Sequence, residues 1–192
     1  QDGRSASLTA PNGSAQRILV LAALGRGALA PPEASCVEAH GTGTALGDPT
    51  EAGALAAVHD ARTAPLAVGA TKANAGHTEA ASGQVGLLKV RRVLHDAAAS
   101  GNSHLRALSP LVRERLGGVS SCFVLPTQAC VDSGLATAGL SAFGYSGTIT
   151  HVVLNRDVSP PRPFVRGADA WVPARTAFSW ETPSAAVGRE SE

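Results

Sequence analysis

The chain has 192 residues, of which 44% are hydrophobic and 16% charged, and a net charge of +1. That length and apolar fraction specify a globular domain with a real core and exclude a disordered chain. The near-zero charge gives no electrostatic case for nucleic acid or an anionic membrane, and no run approaches the roughly 18 apolar residues that a span needs.

The chain lacks methionine and begins Gln1-Asp2-Gly3, which reads as a fragment or a processed chain. No targeting signal is visible, so a cytoplasmic location is expected. Cys36, Cys122 and Cys130 are an odd number without C-x-x-C spacing and fit free thiols in a reducing compartment. Cys36 and Cys122 fall in apolar, strand-like runs, where a buried structural thiol is the default.

In chain order, residues 1–13 carry the turn signals Asp2-Gly3 and Pro11-Asn12-Gly13 and read as a loop. Ser14 suits a helix N-cap, with Ile18, Leu21, Ala22 and Gly25 along one stripe and a stop near Gly25 to Gly27. After Pro31-Pro32, SCVEAH is a short strand whose end delivers His40. Glycines interrupt GTGTALGDP, and a helix then runs from Asp48 or Thr50 to about Ala61. APLAVGAT reads as a strand buried on both faces. KANAG leads into a helix from about His77 to Ala97, where Val85, Leu88, Arg92 and His95 separate a buried side from a basic one. Residues 100–120 read as a polar surface excursion. SCFVLP is strand-like, and LATAGLSAFG and TITHVVLNR form an antiparallel pair around a glycine-serine turn. From Ser159 the chain is a proline-rich tail expected to pack through Phe164, Trp171, Phe178 and Trp180, with 184–192 disordered.

This order predicts an α/β architecture with a mixed sheet. Loops that follow the strands gather at one edge. His40 ends the first strand, Lys72 and His77 follow the second, and the turn Gly144-Tyr145-Ser146-Gly147 can join them. Two histidines on neighbouring loops can supply paired N–H donors or act as general acid and base. A helix N-terminus near His77 favours its neutral ring. Lys72 adds a fixed cation, and it is one of few lysines among many arginines. The plain alternative is that these histidines are satisfied structural residues, as His59, His95 and His104 are expected to be, and that HGTGT is a tight turn closed by hydroxyls. A third metal ligand is missing, so no metal site is expected. Spacing alone leaves catalysis and structure evenly matched.

EAHGTGTALGDPTEAGAL and VGATKANAGHTEAASGQVGLLKV resemble the two histidine motifs of β-ketoacyl synthases. DGRSASLTAPNGSAQ is similar to the stretch before them in type I polyketide synthases, and GLSAFGYSGTITHVVL resembles the closing glycine-rich motif. The tail through RTAFSW is similar to a post-ketosynthase linker. The resemblance covers Asp2 to about Trp180 and implies the C-terminal half of a thiolase-like, layered αβαβα body, with a five-stranded mixed sheet. It divides the chain into a ketosynthase part (1–157), a linker (158–183) and a tail (184–192).

The resemblance implies decarboxylative Claisen condensation in polyketide or fatty acid biosynthesis. His40 and His77 would bind the extender thioester and stabilise its enolate, with Lys72 positioning His77 or tuning the local field. Thr42 and Thr44 would hold the phosphopantetheine arm of an acyl carrier protein, and no cofactor is bound directly. The Tyr145 backbone N–H would form half of an oxyanion hole, its ring standing at the gatekeeper position. The family nucleophile, a cysteine in a TACSSS-like segment, has no counterpart here. Ile149 stands where the family has an amide side chain, and His151 reads as structural. Implied partners are an N-terminal ketosynthase half, the carrier protein and a second copy of the complete domain. The alternative reading is a non-catalytic ketosynthase-derived protein used for assembly or carrier docking. Alone, the chain is expected to expose the apolar face that meets its other half and to be poorly soluble.

Overall fold

The computed structural model describes Asp2–Gly3, residues 10–132 and residues 134–156. The chain divides into units Gln1–Asp157 and Val158–Glu192, and all described residues belong to the first. The expected linker, its four aromatic anchors and the expected tail lie outside them.

The strands of the main sheet are β1 (Cys36–Glu38), β2 (Leu66–Gly69), β4 (Phe123–Val124), β6 (Thr137–Phe143) and β7 (Ile149–Asn155). They form one mixed sheet in the order β4-β2-β1-β6-β7. All its pairings are parallel except β6–β7, an antiparallel hairpin in which Phe143 faces Ile149 and Thr137 faces Asn155. Two further strands, β3 (Ala98–Ala99) and β5 (Cys130–Val131), pair apart from it.

The period-two alternation of strand side chains divides the core. On one face, Val37, Leu66 and Phe123 pack with Val20 and Leu24 of α1 (Gly13–Arg26) and Leu55 and Val58 of α2 (Gly47–Val58). On the other, Cys36, Ala138 and Leu140 pack with Val90, Val93 and Leu94 of α4 (Ser82–Asp96). Helices on both sides of a mostly parallel sheet are a layered α/β arrangement.

Several sequence expectations are corrected. Asn12, not Ser14, caps α1, its Oδ1 accepting from Ala15 N at 3.1 Å. The inward stripe of α1 is Gln16, Val20 and Leu24, whereas Ile18 is 66% exposed. In β2 only Leu66 is buried, because Val68 and Gly69 border a cavity. KANAG is itself a helical turn, α3 (Lys72–Ala75), and α4 starts at Ser82, so His77 is not at its N-terminus. Leu88 lies outward at 63% exposure. The supposed polar excursion contains α5 (Pro110–Leu116), opened by its proline, and Leu108, Val112 and Leu116 at four-residue steps reach the core.

Candidate functional site

The loop after β1 is built around the first turns of α2. Glu51, itself buried, accepts His40 N at 2.8 Å and Gly41 N at 2.9 Å. One turn earlier on the same helix, Asp48 accepts Gly43 N at 3.0 Å. Residues three apart share a helix face, which is why the sequence can wrap the loop onto two acids. Gly41 is needed at its place: its φ is +48° and a Cβ would stand 2.7 Å from that of Ala70. Thr44 Oγ1 accepts Gly47 N at 3.0 Å and lies 3.2 Å from Thr42 Oγ1. The hydroxyl-closed turn foreseen for HGTGT is therefore present, alongside whatever else the threonines hold.

The loop after β2 carries Lys72 and His77. Asn102 Oδ1 accepts Ala70 N at 2.8 Å, and Ser103 is bonded to Asn74, so both ends of the turn are tethered. Lys72 Nζ donates to His40 O at 2.6 Å and lies 3.3 Å from His40 Nδ1. The lysine thus serves His40, the histidine farther away in the sequence.

His40 and His77 meet with ring centroids 5.9 Å apart and planes at 87°. Phe143, at the end of β6, packs on His40 with centroids 5.3 Å apart, and its backbone N–H reaches His40 Nδ1 at 3.3 Å. His40 Nδ1 therefore faces donors only, which assigns its proton to Nε2. His77 Nδ1 accepts Glu79 N at 2.9 Å, so the same tautomer follows for the neutral His77 ring. Both rings present Nε2–H as a donor. Burial, followed by the Lys72 ammonium and His77, lowers the His40 pKa from 6.5 to about 4, so that ring is neutral at neutral pH.

His40, His77, Thr42, Thr44 and Tyr145 border one cavity of about 620 Å³. Tyr145 is 80% exposed, and Ile149 borders the same cavity. Lys72 borders a second one, of about 390 Å³, with Asp48, Glu51 and Asn102. Among the described residues, no cysteine lines the histidine cavity. Cys36 is buried, its pKa pushed up to about 12 chiefly by desolvation and then by Glu38. Cys122 Sγ is 3.4 Å from Arg62 O, and Cys130 is exposed on β5.

Of the other histidines, His59 and His151 are buried and hydrogen-bonded. His59 Nδ1 is 3.1 Å from Pro31 O, and His151 Nδ1 is 3.0 Å from Ser141 Oγ. Exposed His95 bonds Asp96. His104 borders the second cavity. Among the described residues no group of three or more His, Cys, Asp or Glu could hold a metal ion, and no helix is long and apolar enough to cross a membrane.

Sequence reasoning missed Glu38, Glu51, Asn102 and the backbone of Phe143. The spacing Asp48–Glu51 after a glycine-rich loop was an available signal for one of them. Asn102 and Phe143 lie 62 and 103 positions from His40 (102 − 40 and 143 − 40), and no local pattern joins them.

A five-stranded mixed sheet whose loops bring two histidines and a lysine together defines a thiolase-like ketosynthase half. The family described as Beta-ketoacyl synthase, C-terminal domain, matches residues 1–106, more than half of the chain, and the chain belongs to that family. Polyketide synthase GfsA of Streptomyces halstedii is 38% identical over 183 residues, covering 94% of this chain and 2% of that protein. Pikromycin polyketide synthase component PikAIII of Streptomyces venezuelae is 41% identical over 162 residues, covering 80% of this chain and 10% of that protein. The chain thus spans a tenth or less of these relatives. Among solved structures, an oxazolomycin ketosynthase domain of Streptomyces albus JA3453 superposes with a TM-score of 0.73 at 32% identity, covering 83% of this chain and 29% of that one. The ketosynthase from module 1 of the bacillaene synthase of Bacillus amyloliquefaciens FZB42 gives 0.71 at 28% identity, covering 82% and 30%.

Proposed function

We propose that this chain supplies the extender-side half of a decarboxylative Claisen condensation in polyketide biosynthesis. The observation that carries the reading is the His40–His77 pair, two rings 5.9 Å apart, each with Nδ1 occupied as an acceptor and Nε2–H left as a donor. A malonyl-type thioester would place its carbonyl oxygen between those donors. The bond to its carboxylate breaks, carbon dioxide leaves, and the electron pair moves onto the thioester oxygen as an enolate. Two donors aimed at that oxygen stabilise the charge as it develops. The enolate carbon then attacks an acyl thioester held on a cysteine of the N-terminal ketosynthase half; a carbon–carbon bond forms and the carbon–sulfur bond breaks, releasing thiolate.

A neutral His40 suits this task, because it donates a hydrogen bond with no prior deprotonation. Burial, and after it the Lys72 ammonium, keeps the ring neutral, and Lys72 also fixes the His40 backbone. Thr42 and Thr44, which border the same cavity, would hold the pantetheine arm that an acyl carrier protein brings. The Tyr145 N–H would supply one donor to the acyl thioester oxygen, with the second from the cysteine that carries it. The partners are therefore an N-terminal ketosynthase half and a carrier protein.

The experiment is chain extension by the polypeptide or complex that contains this chain together with its cysteine-bearing half. His40→Ala and His77→Ala are each expected to lower product formation about 100-fold or more, the usual effect of removing one oxyanion donor. Near-normal extension by either variant removes that histidine from the mechanism. No extension by the unmodified protein with any malonyl-type extender favours the non-catalytic assembly reading.

A further inference from the structure

Two residues before His40, at the end of β1, lies a buried acid that the condensation does not use. Glu38 turns its side chain to the α4 face of the sheet. Its Oε2 is 2.6 Å from Lys89 Nζ, with the two side chains 5% and 13% exposed. Its Oε1 accepts the Thr71 N–H, and the Thr71 hydroxyl at 2.5 Å. Room for the pair comes from Gly69 on β2, where a Cβ would stand 2.7 Å from Lys89 Nζ and 3.1 Å from Glu38 Oε2. Burying two opposite charges is poor evidence for stability, because desolvation offsets the attraction; specifying an arrangement is a better reason to keep them.

What the pair arranges is the turn before α3. Asn102 holds Ala70 and Ser103 holds Asn74, but Glu38 holds Thr71, the residue adjoining Lys72. The Lys72 ammonium in turn rests on His40 O and Nδ1. We infer that Glu38, neutralised by Lys89, is a positioning residue that acts through Thr71 to hold Lys72 on His40, keeping His40 Nδ1 an acceptor and its proton on Nε2. The inference rests on the reading of His40 as an extender-binding donor, and it adds three residues to that site. The groups around the His40 ring and backbone are Lys72 from α3, Glu51 and Asp48 from α2, His77 from the turn before α4, and the Phe143 N–H from β6.

The test compares Thr71→Val, which keeps the shape and the ion pair but deletes the hydroxyl donor, with Thr71→Ser, which restores it. In the complete synthase, Thr71→Val is expected to lower kcat for extension about tenfold with KM for the carrier-bound extender and the melting temperature nearly unchanged, the signature of a misplaced catalytic group. Thr71→Ser stays within about twofold of the parent by the same reasoning. A readout independent of turnover is acylation of His40 by diethyl pyrocarbonate, followed by mass spectrometry. In the parent its rate does not fall between about pH 8 and pH 5, since the ring stays neutral; in Thr71→Val the loss of rate on acidification moves to higher pH as Lys72 leaves the ring, by only part of the full shift because burial is its largest cause.

A second comparison separates the anchor from the charge. Glu38→Gln with Lys89→Met keeps an acceptor for Thr71 and retains most of kcat, whereas Glu38→Leu with Lys89→Met loses it. Normal kcat in Thr71→Val, an unaltered His40 pH profile in that variant, or equal activity of the two double variants overturns the inference. Retained extension by His40→Ala would instead sink the reading of His40, so the two failures are distinct.

Discussion

Glu51 does for the His40 backbone what Lys72 does for its ring. Its carboxylate is almost entirely buried, and its pKa rises from 4.5 to about 7, desolvation outweighing the two backbone N–H groups that favour the charged form. Those N–H groups, of His40 and Gly41, depend on that carboxylate. Glu51→Leu orphans both and is expected to cost about 2–5 kcal/mol, while Glu51→Gln keeps one acceptor oxygen and costs about 1–3 kcal/mol. Urea unfolding of the two variants measures this; a leucine variant as stable as the parent would mean that the loop is held some other way. At this scale, His40, His77 and Lys72 were legible because histidine and lysine beside glycine-rich breaks are chemically conspicuous. The partner of Lys72 was not legible. His77 is nearer in sequence, but the helical turn Lys72–Ala75 carries the ammonium to His40.

Among the elements, the β6–β7 hairpin and the strand that delivers His40 follow from apolar runs bounded by turn signals. Helix α1 shows why the rest did not. Apolar residues surround it on several sides, and docking against α2 and β7, a tertiary fact, selects Val20 and Leu24 over Ile18 and Leu21. Long-range contacts also decide β6, where Gly139 leaves space for the His151 ring. A Cβ at 139 would stand 2.8 Å from His151 Nε2, 2.9 Å from its Cε1 and 3.3 Å from Val37 Cγ2. Gly139→Ala is expected to cost about 1–3 kcal/mol, the range for overpacking a tight interior. Thermal unfolding reads the loss. An unchanged melting temperature would show that His151 can move aside cheaply.

Across the molecule, the buried histidines set the response to acid. Desolvation is the first cause that lowers His59 and His151 from 6.5 to about 4, and the two are 1% and 9% exposed. A depressed folded pKa means that the unfolded chain binds more protons, so each contribution is intact above pH 6.5 and is lost as pH falls towards 4. Each shift corresponds to roughly 3 kcal/mol. Glu51 and Asp48, both raised, act in the opposite sense. His151→Gln removes one histidine from this balance, so its stability is expected to fall less steeply than the parent's between pH 6.5 and 4. Parallel pH profiles of melting temperature for variant and parent would contradict the assignment.

The layered sheet sets two histidines on neighbouring loops, and the proposed function has both of them act on the extender. Release of carbon dioxide from a carrier-bound malonyl-type thioester is the decisive measurement, because it reports the extender side without the carbon–carbon bond-forming step. In the complete synthase, His40→Ala and His77→Ala are each predicted to slow that release about 100-fold or more. Carbon dioxide release at the parent rate by either variant would contradict the proposal.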